Sequence, residues 1–496
     1  MSSIISLPYD IIYSISEFIG FDTRNLKDLF NTSKKLKYFK KNICYWNLNY
    51  EYSLYYVYNQ NIHIRSIYNI INFKNYINNF IENTREQLSL NLSHHYMHSS
   101  NEIEDNIIIN NLDKLNLAYR NTTQLTIYNY QNIRELILRG CKNIIDIRPL
   151  ANIEKLDLSF CDNLEDVSPL HKVKYLNLSN CKKVMDVSKL GSVHFLNLSG
   201  CNITNVDHLT NVYHLNISLC DSVYDISKLT NVTILNISNC NNITDISNLK
   251  KVISLDISNC NNIPDIDSNI KNVLDNISFI DLSEFKKNIS LNLLSHINTI
   301  ILSNYDKNID ASLLSNVKKL DLSYCTKIDN INSLSNIHTL ILAYTNINDV
   351  SPFANVHTLD LTQCQNLKNI YSLRNVNTLI LAGCNIENSD ILWLTNVYKL
   401  DLSHCRNITD VRPLRNIPIL NLSYCKNLHD ITSLNNVKNL NISGCNRIDD
   451  NKYTLNTLKK IHTLDISYSN IKDIKALKDV YSLKYNNRSY YDYFNL

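Results

Sequence analysis

The chain has 496 residues, of which 49 are Lys or Arg and 46 are Asp or Glu, for a formal net charge of +3. A balance so near neutral implies no polyanionic partner and no nucleic-acid surface, and no run of eighteen or more apolar residues offers a membrane span. Abundant Asn, Ile, Lys and Tyr with only six Gly reflect A/T-rich coding more than fold. The start, Met1 to Gly20, lacks a basic leading segment and carries Asp10 and Glu17 inside its apolar stretch, so it does not read as a secretory leader.

Residues 4–40 follow helical spacing: Leu7, Ile11, Ile15, Phe18 and Ile19, then Leu26, Leu29 and Phe30, then Leu36 and Phe39. Pro8 suits a first turn and Gly20 an end, which predicts three short helices. Lys34, Lys35, Lys37, Lys40 and Lys41 read as a solvated helix face. The run Leu7-Pro8-x-Asp10-Ile11-Ile12-x-x-Ile15-x-x-Phe18-Ile19, followed by Leu26-x-x-Leu29 and Thr32-Ser33-Lys34-x-Leu36-x-x-Phe39, resembles the F-box, with Asp10 where Glu is common and Ile often replacing Leu. The resemblance implies docking on a Skp-type adaptor of a cullin ubiquitin ligase through Leu7, Pro8, Ile11, Ile15, Leu26 and Leu29. The alternative is a plain helical cap on the rest of the chain. On this reading residues 1–45 form one module.

Residues 46–110 are rich in Tyr, Asn and Ile, with Trp46 and a tyrosine cluster at 50–58. Amphipathic helices forming a linker or cap are expected here, although Leu88-Ser89-Leu90-Asn91-Leu92 alternates like a strand.

From 111 to 480 one pattern repeats. Thirteen of the fourteen cysteines, from Cys141 to Cys445, recur at a single phase, and consecutive copies return after 19 to 21 residues. A fixed period of this length means a solenoid. Each cysteine follows two alternating aliphatic residues, as in Leu156-Asp157-Leu158-Ser159-Phe160-Cys161. Side chains alternate in a strand, so Leu176 and Leu178 point to a core while Tyr175, Asn177 and Ser179 point away. Stacking such strands about 4.8 Å apart builds a parallel sheet with one buried face. Seventeen pairs run from Leu136/Leu138 to Leu464/Ile466, with Leu115/Leu117 and Leu125/Ile127 as degenerate copies before them. A second aliphatic set, such as Leu164, Val167, Leu170 and Val173, returns the chain across the far side. Between them Asp166-Val167-Ser168 and its counterparts predict capped 3₁₀ turns. The longer spacings at 255–280 and 440–464 predict loops or short helices outside the sheet.

The wording Leu-Asn-Leu-Ser-x-Cys at Leu176 and Leu196 is similar to a leucine-rich repeat with Cys at its Asn/Cys position. The cysteine resembles the subtype of F-box proteins, and the Asp-Ile-Ser-x-Leu return resembles internalin-type repeats. The resemblance implies an α/β solenoid: a horseshoe with its parallel β-sheet on the concave face and 3₁₀ or short turns on the convex face, preceded by the helical box. Residues 481–496 would be a C-terminal cap or tail. Box, short repeats and Asn/Ile bias together are similar to predicted F-box/leucine-rich proteins of large DNA viruses of amoebae, which implies a host adaptor.

The thiols show neither Cys-x-x-Cys nor a regular His partner, so a buried ladder of reduced cysteines is expected, with no metal and no cofactor. Sequons at Asn177, Asn197 and Asn236 would load the sheet with glycans in a secreted chain, so the expected compartment is cytoplasmic or nuclear. There is no phosphate loop, His-Glu-x-x-His helix or nucleophile elbow, so no catalytic residue and no enzyme are expected. His194, His214, His338 and His357 fall near strand starts without a distinctive role. The outward Asn/Asp and Ser rows are monotonous and read as solvated. The residue before each cysteine site varies more, and Tyr324, Tyr344, His404, Tyr424 and Tyr468 form a candidate aromatic stripe for a protein substrate. Two classes remain open: a substrate-recognition subunit of a ubiquitin ligase, and a leucine-rich interaction scaffold without that role.

Overall fold

The computed structural model describes residues 45–47, 88–91, 112–119, 133–267 and 270–485. Leu7, Pro8, Ile11, Ile15, Leu26 and Leu29, and the pair Leu125/Ile127, lie outside the described residues. The strands fall into two compact units, one reaching Ile277 and one beginning at Ser278.

In both units the strand is short because only its central residue and the aliphatic after it have a core to enter. Lys155–Asp157, Tyr175–Asn177 and Phe195–Asn197 are typical three-residue strands. They pair in parallel and in register, so that Leu156 faces Leu176 and Leu176 faces Leu196. Every rung therefore lays leucine or isoleucine on leucine or isoleucine. Leu156 and Leu158 are 2% and 0% exposed, and the same holds along the series. Burial of each such side chain contributes on the order of 1.5–3 kcal/mol. Each of the seventeen aliphatic pairs places its first member at the centre of such a three-residue strand and its second just past the strand's end, from Glu135–Ile137 to Thr463–Asp465.

Strands extend beyond 111–480. Leu88–Asn91 pairs with Leu112–Asn116 and with Tyr45–Asn47, so the helical reading of 46–110 does not hold for Leu88–Asn91 or for Trp46. At the other end Ser482–Lys484 pairs with Thr463–Asp465, inside the segment read as a tail.

Return segments are 3₁₀ turns such as Ser168–Lys172 and Arg412–Leu414, or simple turns. Their caps follow the expected chemistry: the Ser168 N–H donates to Asp166 Oδ1 (2.9 Å), and the N–H groups of Ser188, Ser227 and Ser247 do the same with Asp186, Asp225 and Asp245 (2.8 Å each). The two stretched spacings contain the short helices Lys271–Leu274 and Lys452–Leu458.

The outward rows require a correction. Most of the serines are buried and the rest half-buried: Ser159 is 1% exposed and Ser467 4%, while Ser199, Ser258, Ser283 and Ser303 are intermediate. The chain leaves the strand after the Asn/Asp residue and turns, tucking the serine under. The Asn/Asp side chain drives that turn by accepting the serine's N–H, as in Ser159 N–H to Asp157 Oδ1 (2.8 Å) and Ser323 N–H to Asp321 Oδ1 (2.8 Å). The polar members of the row are thus side-chain caps, which is why Asn and Asp recur in it.

Candidate functional site

The residue between that serine and the cysteine occupies the left-handed region in rung after rung. Its φ is 59° at Asn180, 59° at Asn239, 68° at Gly200 and 72° at Gly444. Gly and Asn suit this conformation; bulky side chains are strained there, by about 1–2 kcal/mol. Yet the second unit places Tyr324 (61°), Tyr344 (57°), His404 (62°), Tyr424 (58°) and Tyr468 (56°) at the same point. These are all five residues of the candidate stripe.

The structure brings four of them together in pairs. The rings of Tyr324 and Tyr344 stack at 4.4 Å between centroids with an 8° interplanar angle, and those of His404 and Tyr424 at 4.8 Å and 8°. Tyr468 is separate from both pairs along the series, with Gly444 between it and Tyr424. Side chains in this row lean toward the next rung. A Cβ placed on Gly444 would come within 2.5 Å of the Tyr424 ring, and one on Gly383 would meet Gln363. Glycine at 444 therefore makes the space that Tyr424 occupies. The rings stay accessible: Tyr324 is 50% exposed, Tyr468 48% and Tyr424 38%. Partial desolvation and the adjacent Tyr344 phenol hold the Tyr324 hydroxyl above the ordinary range, so that phenol is a neutral, amphipathic anchor at neutral pH.

A second aromatic cluster, on the first unit, escaped the sequence reading. Tyr175 and Phe195 stack at 4.6 Å, Phe195 meets His214 at 5.4 Å, and His194 stacks on Tyr213 at 4.8 Å. These residues begin consecutive strands or immediately precede them. The signal was present as ring-bearing residues at one phase of three successive copies. Burial lowers the basicity of His214. On the second unit, His338 and His357 likewise stack at 4.5 Å.

The residues most able to do chemistry are committed to the fold. All thirteen described cysteines are buried. Each thiol donates to the carbonyl of the second aliphatic residue one rung earlier: Cys181 Sγ to Leu158 O at 3.1 Å, Cys240 Sγ to Ile217 O at 3.1 Å, Cys425 Sγ to Leu402 O at 3.1 Å. Burial pushes the Cys181 thiol up to about 11 and Cys201 to about 12, far from thiolate reactivity. Where the repeat lacks cysteine, Phe285, Tyr305 and Thr345 fill the site, and Thr345 Oγ1 donates to Leu342 O at 2.6 Å. Among the described residues no group of His, Cys, Asp or Glu is arranged to hold a metal ion, and no helix is long and apolar enough to cross a membrane.

No protein-family model and no curated protein matches the sequence. Solved structures do. A chain of the TLR13–ssRNA13 complex aligns over 80% of this chain and 76% of its own length, at 16% identity and a TM-score of 0.52. The functional domain of InlJ from Listeria monocytogenes, which includes a cysteine ladder, aligns over 70% and 72% at 20% identity and 0.36. The LRR protein LIC12759 of Leptospira interrogans aligns over 73% and 97% at 20% identity and 0.41. All are leucine-rich-repeat proteins. Rung geometry and the first of these likenesses agree that the described chain has the leucine-rich-repeat fold.

Proposed function

We propose that the chain is a non-catalytic scaffold that captures a protein partner on the aromatic edge of its second unit. One observation carries this reading: exposed Tyr and His side chains occupy the strained left-handed position on five rungs of the second unit, four of them stacked in pairs, where Asn or Gly fills many other rungs at lower cost. Aromatic anchors of this kind are what protein interfaces enrich. The buried thiols and the capping carboxylates support scaffolding over catalysis, because their chemistry is already used internally.

The test replaces Tyr324, Tyr344 and Tyr424 with Asn, the residue that suits this backbone. Affinity purification of wild type and variant from the same lysate, compared by quantitative mass spectrometry, should show a protein set lost only with the variant. An identical set recovered by both chains would end the proposal.

A finer reading rests on the Leu7-Pro8 motif alone: the chain recruits a Skp-type adaptor of a cullin ubiquitin ligase, a host protein if the source is an amoeba virus, and presents its captured partner by proximity. Direct mixing with a purified Skp-type adaptor tests it. Binding that disappears when residues 1–45 are removed supports recruitment, and no binding by the intact chain refutes it. We also place the protein in a reducing compartment without N-glycosylation. Asn177 and Asn197 sit on neighbouring rungs in register and both cap turns through Oδ1 (3.1 and 3.0 Å), so glycans on the two would crowd one another at about 4.8 Å spacing.

A further inference from the structure

The residue just after each cysteine lies beside the aromatic row. Lys182 Nζ donates to the carbonyl of Gly200, a member of that row on the next rung, and Asn261 Nδ2 reaches Asn259 Oδ1 in the row on its own rung (2.8 Å). At the His404–Tyr424 pair this flanking position holds Arg406 and Lys426, both exposed. Neither forms an ion pair with a described carboxylate. Two acids of the same repeat are otherwise engaged: Asp401 accepts from the Ser403 N–H (2.8 Å) and Asn421 Nδ2 (2.7 Å), and Asp410 chelates Arg412. The backbone between the two cations is pinned, since Asn427 Nδ2 donates to the Arg406 carbonyl at 2.8 Å.

Like charges on adjacent rungs are unfavourable. The first unit avoids them at the equivalent position, where Lys142 is succeeded one rung later by Asp162, its ion-pair partner at 3.7 Å. The second unit sets two cations side by side against an exposed aromatic pair. Resting on the reading of this edge as a docking face, we infer that its partner supplies an acidic, extended protein segment. The segment's carboxylates meet Arg406 and Lys426, and its apolar side chains meet the edges of His404 and Tyr424. A single-stranded nucleic acid fits less well. Base recognition uses open ring faces, whereas Tyr424 is covered by His404 on one side and Gly444 on the other.

The test pans a random 16-residue peptide library on the immobilised full chain. In parallel it uses Arg406→Glu/Lys426→Glu, the charge-keeping Arg406→Lys/Lys426→Arg, and His404→Asn/Tyr424→Asn, each checked for an unchanged melting curve. Enriched peptides should be rich in Asp and Glu with interspersed apolar residues. They should bind the charge-reversed chain about ten-fold more weakly, keep their affinity for the charge-keeping chain, and depend on His404 and Tyr424. Enriched neutral peptides that need Tyr424 but ignore the charge reversal would overturn the acidic segment while leaving the docking face standing. Enrichment indifferent to His404 and Tyr424 would remove both. Tight retention of a random 20-nucleotide RNA pool, lost on charge reversal, would reassign the surface to nucleic acid and overturn the inference.

Discussion

The two units take the same backbone path with different side chains, and the contrast separates what the fold requires from what it permits. In the first unit, cysteine fills its site on consecutive rungs from Cys141 to Cys260. In the second, Phe285, Tyr305 and Thr345 interrupt the series, all of them buried. The thiol is therefore one way to fill the site. The left-handed residue before it and the side-chain cap before that persist in both units. The capping row differs in a complementary way. The first unit uses four successive asparagines between Asp157 and Asp256; the second alternates, with Asp321 beside Ile341 and Ile341 beside Asp360. Both arrangements keep carboxylates off adjacent rungs, where a parallel ladder would hold them about 4.8 Å apart.

The largest expected break in this comparison is Phe285→Ala, which should cost about 3–5 kcal/mol in denaturant unfolding of the full chain. Cys240→Ala should cost only about 1–2 kcal/mol, since it removes one small group and one weak donor. Equal losses would mean the two fillers are not interchangeable answers to one packing problem.

The thiols also predict a response to base. Burial raises their folded-state values from 9.0 to about 11 or 12, so their contribution is complete below pH 9 and is lost as pH climbs through 11 to 12. Stability should fall steeply across that window. The slope should be shallower in a variant with Cys181, Cys201 and Cys220 changed to Ala. A slope unaffected by these changes would show the thiols to be exposed to solvent.

The capping row can be tested by breaking its alternation. Ile341→Asp sets a carboxylate between Asp321 and Asp360 and should cost about 1 kcal/mol at neutral pH. Repulsion raises the folded-state value of the new carboxyl, so the deficit should be absent in acid and appear as pH rises above about 4. A deficit constant with pH would point to lost packing instead.

The smallest effect concerns the left-handed row. Leu219 is 56% exposed at φ 59°, and Leu219→Asn should stabilise the first unit by about 0.5–1 kcal/mol. Tyr344→Asn should be nearly neutral in stability, because relief of strain offsets the lost stacking on Tyr324. Its effect should fall on partner capture. A variant at 344 that is destabilised by more than about 2 kcal/mol would mark that tyrosine as structural.

Much of this architecture was legible in the residues. The aliphatic pairs located the strands, Asp-x-Ser located the 3₁₀ caps, and the stretched spacings located two extra helices, because each rests on a local rule. The turn after the strand was not read correctly, because continuing the alternation from Asn177 to Ser179 placed the serine in solvent, whereas the asparagine's own acceptor bends the chain at that point. A cue existed: Gly140, Asn180, Gly200, Asn239 and Asn259 share one phase, the mark of a positive φ. The candidate residues of the stripe were identifiable. Their strain, the space opened at Gly444 and the unpaired cations at 406 and 426 emerge only when successive copies are laid side by side.

The left-handed position has a consequence for how such a chain changes over time. Its side chain takes no part in the core, its backbone conformation is imposed by neighbours on both sides, and it returns once per turn of the coil. Recognition can therefore be rewritten one letter at a time along an edge while the packing beneath goes unaltered, so that new binding preferences arise without passing through unfolded intermediates.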